Sequence, residues 1–386
     1  MSKKCTGVDA LTGQAVAVSF GQTIETVEPA PAPNGSPYVA PGFIDLQVNG
    51  FAGVDYNDPA ASHDEIARSI RALFSTGVTR FLPTIITGSF DDMSGALRNL
   101  ADAREKLPEG AAIEGFHIEG PHISPDDGPR GAHPRRWVRR PNLHELHRMQ
   151  DAARGLIRLL TLSPEWPEAP RFIEGAVREG IVVSIGHTSA GSEQIAEAVA
   201  AGATMSTHLG NGGHRVLPRH PNYVWDQLAD DRLTAGFIAD GIHLPASFLK
   251  AALRAKGPER RVLVTDAVMP AGAQPGLYRL GEQAVELKPD ERVVLAGTAQ
   301  LAGSALRMHH GVANLMRMAG LNLSEAVAMA TVNPARAARV AGRNGGLATG
   351  LIGDLVAFNL RGGNIEIEQT TLAGEVVYRR GDSAAL

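Results

Sequence analysis

The sequence predicts an α/β fold, a (β/α)8 TIM barrel with a small β-sandwich domain formed from both chain ends. Three observations lead to this prediction. Strand-like runs alternate with helical patterns through the middle of the chain, eight such strands can be counted, and several of them end in an imidazole or carboxylate side chain. Polar side chains at the carboxyl ends of successive parallel strands are how such a barrel builds an active site.

The predicted barrel strands are short apolar runs separated by turn residues and helical patterns. They cover residues 42–46, 80–83, 112–117, 156–160, 181–185, 205–208, 234–238 and 261–265. Helical periodicity predicts helices over residues 62–75, 90–106, 192–201, 245–256, 305–319 and 324–330. Strands joined by helices in this way form a parallel sheet, and eight strands are the number that closes a barrel.

Both chain ends have the alternating texture of β-strands. Residues 15–20 and 23–27 are β-type runs that precede a Pro-rich linker, and residues 354–358, 364–367 and 374–378 return to the same texture. We therefore expect residues 1–40 and 347–386 to form the two parts of the β-sandwich and residues 41–346 to form the barrel.

Composition and charge exclude several classes of protein. The chain has 386 residues, of which 44% are hydrophobic and 20% are charged, so it can bury a full core. A net charge of −4 gives no general electrostatic reason to bind nucleic acid or an anionic membrane. No apolar run approaches the ~18 residues of a membrane span. The start lacks the apolar core of a signal peptide, and the single cysteine, Cys5, fits a reducing compartment. We expect a cytoplasmic protein.

Four polar side chains stand where apolar runs stop: Glu119, His187, His208 and Asp266. Two neutral imidazole nitrogens and one carboxylate can hold a divalent ion such as zinc while leaving a position open for water. A separate carboxylate must then take the proton of that water. The pattern predicts a mononuclear hydrolytic metal site.

Short motifs in the same order make the chain resemble the amidohydrolase superfamily and, within it, the N-acetylglucosamine-6-phosphate deacetylases. They are PGFID at 41–45, HIEGP at 117–121, GHT at 186–188, STHL at 206–209 and TDA at 265–267. Many members continue the first motif with His-x-His, which holds a second metal, but this chain has Gln47 and Asn49. Neutral amides are poor ligands for a transition metal, so we expect one metal ion. None of the six lysines ends a candidate strand, which counts against the branches that bridge two metals with a carbamylated lysine.

The resemblance implies a role for each candidate residue. Glu119, His187 and His208 would be the metal ligands, the ion would be Zn²⁺, and Asp266 would be the general base and then the general acid. His133, in the run RGAHP at 130–134, would stabilise the oxyanion, with His122 as the alternative. We expect His117 to be packed or to support the ligands.

The resemblance also implies the substrate contacts. Asn211 and the backbone of Gly212 would contact a sugar phosphate, and His243, in ADGIH at 239–243, would be a further substrate contact. Arg219 would reach the phosphate bound to a neighbouring subunit, which implies a homodimer; Arg215 is the alternative. A guanidinium suits this task because it binds phosphate in two places.

The expected reaction is hydrolysis of the acetamide of N-acetylglucosamine 6-phosphate to glucosamine 6-phosphate and acetate. The family stretch HLYNAM is HLGNGG here, at 208–213, and this change leaves other substrates open. They are N-acetylgalactosamine 6-phosphate and an unphosphorylated N-acyl compound. A non-catalytic binding barrel is the alternative from another class, and the presence of all three ligands and the base counts against it.

Overall fold

A computed structural model describes residues 2–342 and 346–382, so Met1 and residues 383–386 of the two predicted end segments, and residues 343–345 of the predicted barrel, lie outside the described residues. Its strands are β1 (Lys3–Asp9), β2 (Ala15–Phe20), β3 (Ile24–Pro29), β4 (Tyr38–Pro41), β5 (Phe43–Val48), β6 (Gly50–Phe51), β7 (Val54–Asp55), β8 (Val78–Ile86), β9 (Phe116–Glu119), β10 (Ile157–Leu162), β11 (Val182–Ile185), β12 (Met205–Ser206), β13 (Thr234–Phe237), β14 (Arg261–Leu263), β15 (Gly276–Leu280), β16 (Gln283–Leu287), β17 (Val293–Leu295), β18 (Leu355–Arg361), β19 (Asn364–Leu372) and β20 (Glu375–Arg379).

Its α-helices are α1 (His63–Phe74), α2 (Phe90–Lys106), α3 (Leu143–Ala152), α4 (Ala169–Arg178), α5 (Ser192–Ala200), α6 (Tyr223–Ala229), α7 (Ala246–Lys256), α8 (Met308–Asn314), α9 (Leu323–Ala328) and α10 (Val332–Ala337). Local sequence explains where several of them begin. Ser62 and Glu65, for example, form a reciprocal capping box at the start of α1. Among the described residues, no helix combines the length and the apolar character needed to cross a membrane.

Eight parallel strands form the predicted barrel, in the order β5, β8, β9, β10, β11, β12, β13 and β14. The barrel closes where the chain after β14 returns to the end of β5. Val48 and Ala267 form a parallel bridge there, the amide of Asp266 donates to Gln47 O at 3.0 Å, and the amide of Asn49 donates to Ala267 O at 2.7 Å. This closure places Asp266 beside the first strand. The prediction of a (β/α)8 barrel is confirmed.

The two chain ends pair with each other, as predicted, within one seven-stranded sheet of order β20, β19, β18, β4, β1, β2 and β3. Its apolar cluster includes Val18, Phe20 and Leu355. The sheet is fastened to the barrel by an ion pair in which Arg80 Nε of β8 lies 2.7 Å from Asp354 Oδ2.

An antiparallel sheet of β15, β16 and β17 follows the last barrel strand and was not among the predicted elements. It packs Leu280, Val285 and Val293 onto Ile86 and Val268 at the mouth of the barrel. Partly buried and exposed residues alternate along β15 with the period of two that marks a half-buried strand. This sheet therefore forms part of the wall of the candidate site.

Candidate metal centre

The four polar residues predicted at strand ends all lie at the carboxyl end of the barrel. Glu119 ends β9, while His187, His208 and Asp266 follow β11, β12 and β14. All four are buried, with between 2% and 9% of their surface exposed. The structure thus brings together side chains that are up to 147 positions apart, from 119 to 266, in the sequence.

Three of these residues have a left-handed backbone. The φ angles are +50° at His187, +28° at His208 and +51° at Asp266. Such angles are uncommon for residues other than glycine and cost on the order of 1–2 kcal/mol each. Strained backbone of this kind persists only where the surrounding structure enforces it, and it is concentrated at functional sites.

Glu119, His187 and His208 converge on one point. Glu119 Oε1 lies 3.0 Å from His208 Nε2 and 3.2 Å from His187 Nε2, and the two imidazole nitrogens are 3.0 Å apart. His187 Nδ1 donates to Pro129 O at 2.8 Å, which leaves Nε2 as the nitrogen with the lone pair. One carboxylate oxygen and two imidazole nitrogens in this arrangement fit a divalent ion, and zinc in particular.

The electrostatics of this group favour an ionised carboxylate. Burial acts to raise the pKa of the Glu119 carboxyl, but the neighbouring imidazoles of His187 and His208 outweigh it and hold that pKa well below its usual range. Glu119 is therefore charged at neutral pH and ready to neutralise a cation.

Asp266 has a different environment from Glu119. Its Oδ1 accepts from Asn49 Nδ2 at 2.7 Å and from Gln47 Nε2 at 3.1 Å. Burial and then the charge of Glu119 raise the pKa of Asp266 to about 6. A carboxyl whose pKa lies near neutrality can both accept and return a proton.

His133 also faces the group. Its Nδ1 lies 2.9 Å from Thr87 Oγ1, and burial lowers the pKa of its imidazole to about 3, so the ring is neutral. Glu119, His133 and His187 each offer a ligand atom, all within 4.8 Å of one another. The geometry thus allows two uses of His133, as the predicted donor to an oxyanion or as a metal ligand.

The other two histidines of this region are packed outside the group. His117 is buried beneath it, with Nε2 2.7 Å from Thr161 Oγ1 and Nδ1 donating to Leu46 O at 3.1 Å. Burial lowers the pKa of His117 to about 4. His122 packs edge-on against the Phe172 ring. His117 is therefore a packed histidine, two residues before Glu119 on the same face of β9.

A cavity of about 150 Å³ contains the candidate centre and opens into a cleft of about 970 Å³. Asn211 and Gly212 line both spaces, and His243 lines the smaller one, where Asp240 Oδ2 lies 2.6 Å from its Nδ1. Arg219 is exposed and, among the described residues of this chain, does not line either space. Arg215 lines the larger cleft.

Known proteins match this chain over most of its length. A model of the amidohydrolase family matches residues 38–378. The chain belongs to the amidohydrolase family. The predicted resemblance is thereby confirmed, and the protein is a hydrolase of this family.

Several relatives of this amidohydrolase share one name. This chain is 32% identical to the N-acetylglucosamine-6-phosphate deacetylase of Bacillus subtilis, over 88% of this chain and 84% of that protein. Identity to the protein of the same name from Bos taurus is 35%, over 89% and 84%. A mutant N-acetyl-D-glucosamine-6-phosphate deacetylase from Mycobacterium smegmatis, solved in complex with N-acetyl-D-glucosamine-6-phosphate, superimposes with a TM-score of 0.88 at 30% identity and covers 97% of this chain and 99% of that chain.

Several partners of the site residues in this amidohydrolase were not predicted. Thr87, Pro129 O and Asp240 hold the rings of His133, His187 and His243. Pro129 lies one residue before RGAHP, and Asp240 lies inside ADGIH, so both are adjacent to or within a motif. Thr87 follows β8, which carries no recognised motif, and only the fold brings it to His133.

Proposed function

We propose that this amidohydrolase hydrolyses the acetamide of N-acetylglucosamine 6-phosphate to glucosamine 6-phosphate and acetate. The observation that carries the proposal is the convergence of Glu119, His187 and His208 beside a separate carboxylate, Asp266, in a buried cavity. The names of the relatives supply the substrate.

One Zn²⁺ ion is the proposed cofactor, held by Glu119, His187 and His208. Such an ion lowers the pKa of water and polarises a carbonyl oxygen. Gln47 and Asn49 stand where a second ion would need ligands, and both amides already donate to carboxylates of the site. A single ion is therefore the expected stoichiometry.

Asp266 is the proposed proton carrier. Its Oδ1 is held by Asn49 and Gln47, so Oδ2 is the oxygen that can take the proton of the attacking water. The same oxygen then gives that proton to the amide nitrogen as the bond between carbon and nitrogen breaks. A pKa of about 6 suits both steps near neutral pH.

His133 is the proposed donor to the oxygen of the tetrahedral intermediate. If Thr87 donates to Nδ1, the neutral ring carries its proton on Nε2 and can donate it. Donors of this kind stabilise the negative charge that develops only in the transition state.

The polar end of the substrate is proposed to lie in the 970 Å³ cleft, where Asn211 and Gly212 would bind it. His243 would bind it from the smaller cavity, with its ring oriented by Asp240. Arg219 is assigned to the phosphate in the partner subunit of a homodimer. In support, two apolar side chains on the same segment, Val216 and Trp225, leave 87% and 54% of their surface exposed and could be covered by a second chain.

The function is tested by amine release from N-acetylglucosamine 6-phosphate with zinc-loaded protein. The comparison substrates are the galacto epimer and unphosphorylated N-acetylglucosamine, and Asp266→Asn is the control. Turnover confined to the phosphorylated gluco substrate and lost in Asp266→Asn is the expected result. Activity on none of them refutes the proposal, while a preference for the galacto epimer or the free sugar reassigns the substrate.

The dimer is tested by light scattering together with Arg219→Ala, with Arg215→Ala as the test of the alternative contact and Arg254→Ala, on the exposed side of α7, as the control. We expect a dimer, and we expect Arg219→Ala to raise KM for the phosphorylated substrate while Arg254→Ala leaves it unchanged; a larger rise in Arg215→Ala than in Arg219→Ala assigns the phosphate to Arg215. A fully active monomer contradicts the assignment.

The segments 1–40, 41–346 and 347–386 remain the proposed domain division. The cytoplasm remains the proposed location, because a single cysteine fits a reducing compartment.

A further inference from the structure

Three cavities meet at the carboxyl end of the barrel. The 150 Å³ cavity of the candidate centre shares Gly131, His187, Asn211, Gly212 and Leu301 with the 970 Å³ cleft. On another side it shares Ile86 and Leu280 with a third cavity of about 460 Å³. Ile86 and Leu280 are buried, so these two side chains form the partition between the reaction centre and the third cavity.

The orientation of an amide in this site follows from what lines each side. An amide has its amine part and its acyl part on opposite sides of the carbonyl carbon. The 970 Å³ cleft is lined by Arg130, Arg215 and Asn211, which suit a polar, anionic amine part. The acyl carbon then points away from that cleft and toward the apolar side of the small cavity, where Ile86 and Leu280 stand.

This partition is anchored by hydrogen bonds at both of its residues. The amide of Ile86 donates to Asn57 Oδ1 at 2.8 Å, and the amide of Gly281, next to Leu280, donates to Asp55 Oδ2 at 2.6 Å. Asp55 Oδ1 in turn accepts from the amide of Asn57 at 2.9 Å. Because one short segment holds both sides, the partition cannot widen easily for a larger acyl group.

We propose that Ile86 and Leu280 form the acyl-binding wall of this enzyme and restrict its substrates to short N-acyl groups. This inference rests on the proposed amide hydrolysis and adds the class of acyl group that the site accepts. Beyond the wall, the 460 Å³ cavity provides room that the native side chains block. Truncating the wall joins the two cavities and admits longer acyl chains.

The test compares N-acetyl, N-butanoyl and N-hexanoyl glucosamine 6-phosphate as substrates of the zinc-loaded wild type, Ile86→Ala, Leu280→Ala and the double variant. Leu287→Ala is the matched control, because Leu287 belongs to the same apolar cluster as Leu280 and lines none of these cavities. One methylene in an apolar pocket changes specificity by about 10- to 200-fold. We therefore expect the wild type to prefer acetyl strongly, and each wall variant to raise the butanoyl-to-acetyl ratio of kcat/KM by about tenfold or more.

Results other than these would contradict either the acyl-binding wall or the proposed amide hydrolysis, and the assay separates the two. A wild type that cleaves all three chain lengths equally well has no restrictive wall, although it is still an amide hydrolase. If the wall variants lose acetyl activity without gaining butanoyl activity, Ile86 and Leu280 only pack the site. The same conclusion follows if Leu287→Ala raises the butanoyl-to-acetyl ratio as much as the wall variants do. A folded, zinc-containing wild type that cleaves none of the three refutes the proposed function itself.

Discussion

Asn49 holds Asp266 through a hydrogen bond of 2.7 Å from its Nδ2 to the carboxylate Oδ1. The same oxygen accepts from Gln47 Nε2, which also donates to Glu119 Oε1 at 2.9 Å. The two amides that replace the His-x-His pair of other amidohydrolases thus link the proposed base to a proposed metal ligand. They hold both carboxylates in place.

Asn49→Ala is expected to raise the pKa of Asp266, because its hydrogen bond favours the charged carboxylate. Catalysis needs the deprotonated form, so the acidic limb of the profile of kcat/KM against pH moves to higher pH. A hydrogen bond to a charged group contributes about 1.5–3 kcal/mol, which corresponds to a shift of roughly 1–2 pH units. The pH profile of the zinc-loaded variant measures it. An acidic limb that stays in place would show that Asp266 does not set it.

His133→Gln and His208→Gln separate the two uses that the geometry allows for His133. If His208 is the ligand, His208→Gln loses most of its bound zinc, while His133→Gln keeps about one ion per chain and loses about 10²- to 10³-fold in kcat, as expected for an oxyanion donor. Metal analysis of purified, dialysed variants together with kcat decides between them. A His133→Gln variant that is as poor in zinc as His208→Gln would make His133 a ligand.

The barrel and the central group could be predicted because their signals are local. Glu119, His187 and Asp266 are polar residues at the ends of apolar runs, and the parallel order of the strands alone brings them to one rim. The left-handed backbone at His187 and Asp266 was not predictable, since neither residue type requires it. The Thr87 contact of His133 depends on how β8 and the loop after β9 approach each other, and no spacing in the sequence encodes that distance.

The partition residues were missed for another reason. Ile86 and Leu280 read as ordinary core residues, because an apolar side chain at a strand end has the same sequence signature whether it faces the core or a cavity. The sheet of β15–β17 that carries Leu280 lies in the connection after the last barrel strand, and the exposed Leu277 breaks the apolar alternation that would mark β15 as a strand. Arg219 is a different case, since its proposed role needs a second chain that one sequence does not place.

Asp354→Ala is expected to lower the free energy of unfolding by about 3–5 kcal/mol, because it removes the buried carboxylate that pairs with Arg80 and accepts from the amide of Ala373, while Arg80 retains the more distant Glu114 Oε2 at 3.7 Å. The pair joins the barrel to the sheet of the chain ends, so urea unfolding should show whether both still unfold in one transition. Lys106→Ala is the control; it removes an ion pair with Asp102 at the surface and should leave the stability almost unchanged. Equal stability of the two variants would mean that the Arg80 pair contributes no more than a surface pair.

Lys256 is a buried lysine at the end of α7 whose Nζ donates to Gln227 O at 2.5 Å and to Asp230 O at 2.9 Å, both in or next to α6. Burial lowers the pKa of its ammonium group to about 8. Lysine in an unfolded chain has a pKa of about 10.4, so between these values the unfolded state binds more protons than the folded state. The free energy of unfolding of the wild type must therefore rise with pH in this window, relative to a variant without this lysine.

The difference in unfolding free energy between wild type and Lys256→Met, measured by urea denaturation at several pH values, tests this sign. From pH 8 to pH 10 the difference should shift in favour of the wild type, by at most about 1.4 kcal/mol per pH unit, the limit for one proton. Below pH 8 the lysine is charged in both states and the difference should be flat. Lys250→Met on the exposed side of α7 should show no such slope. A Lys256→Met difference that stays constant through pH 10 would mean that Lys256 remains charged in the folded protein, held by its two carbonyl partners against the cost of burial.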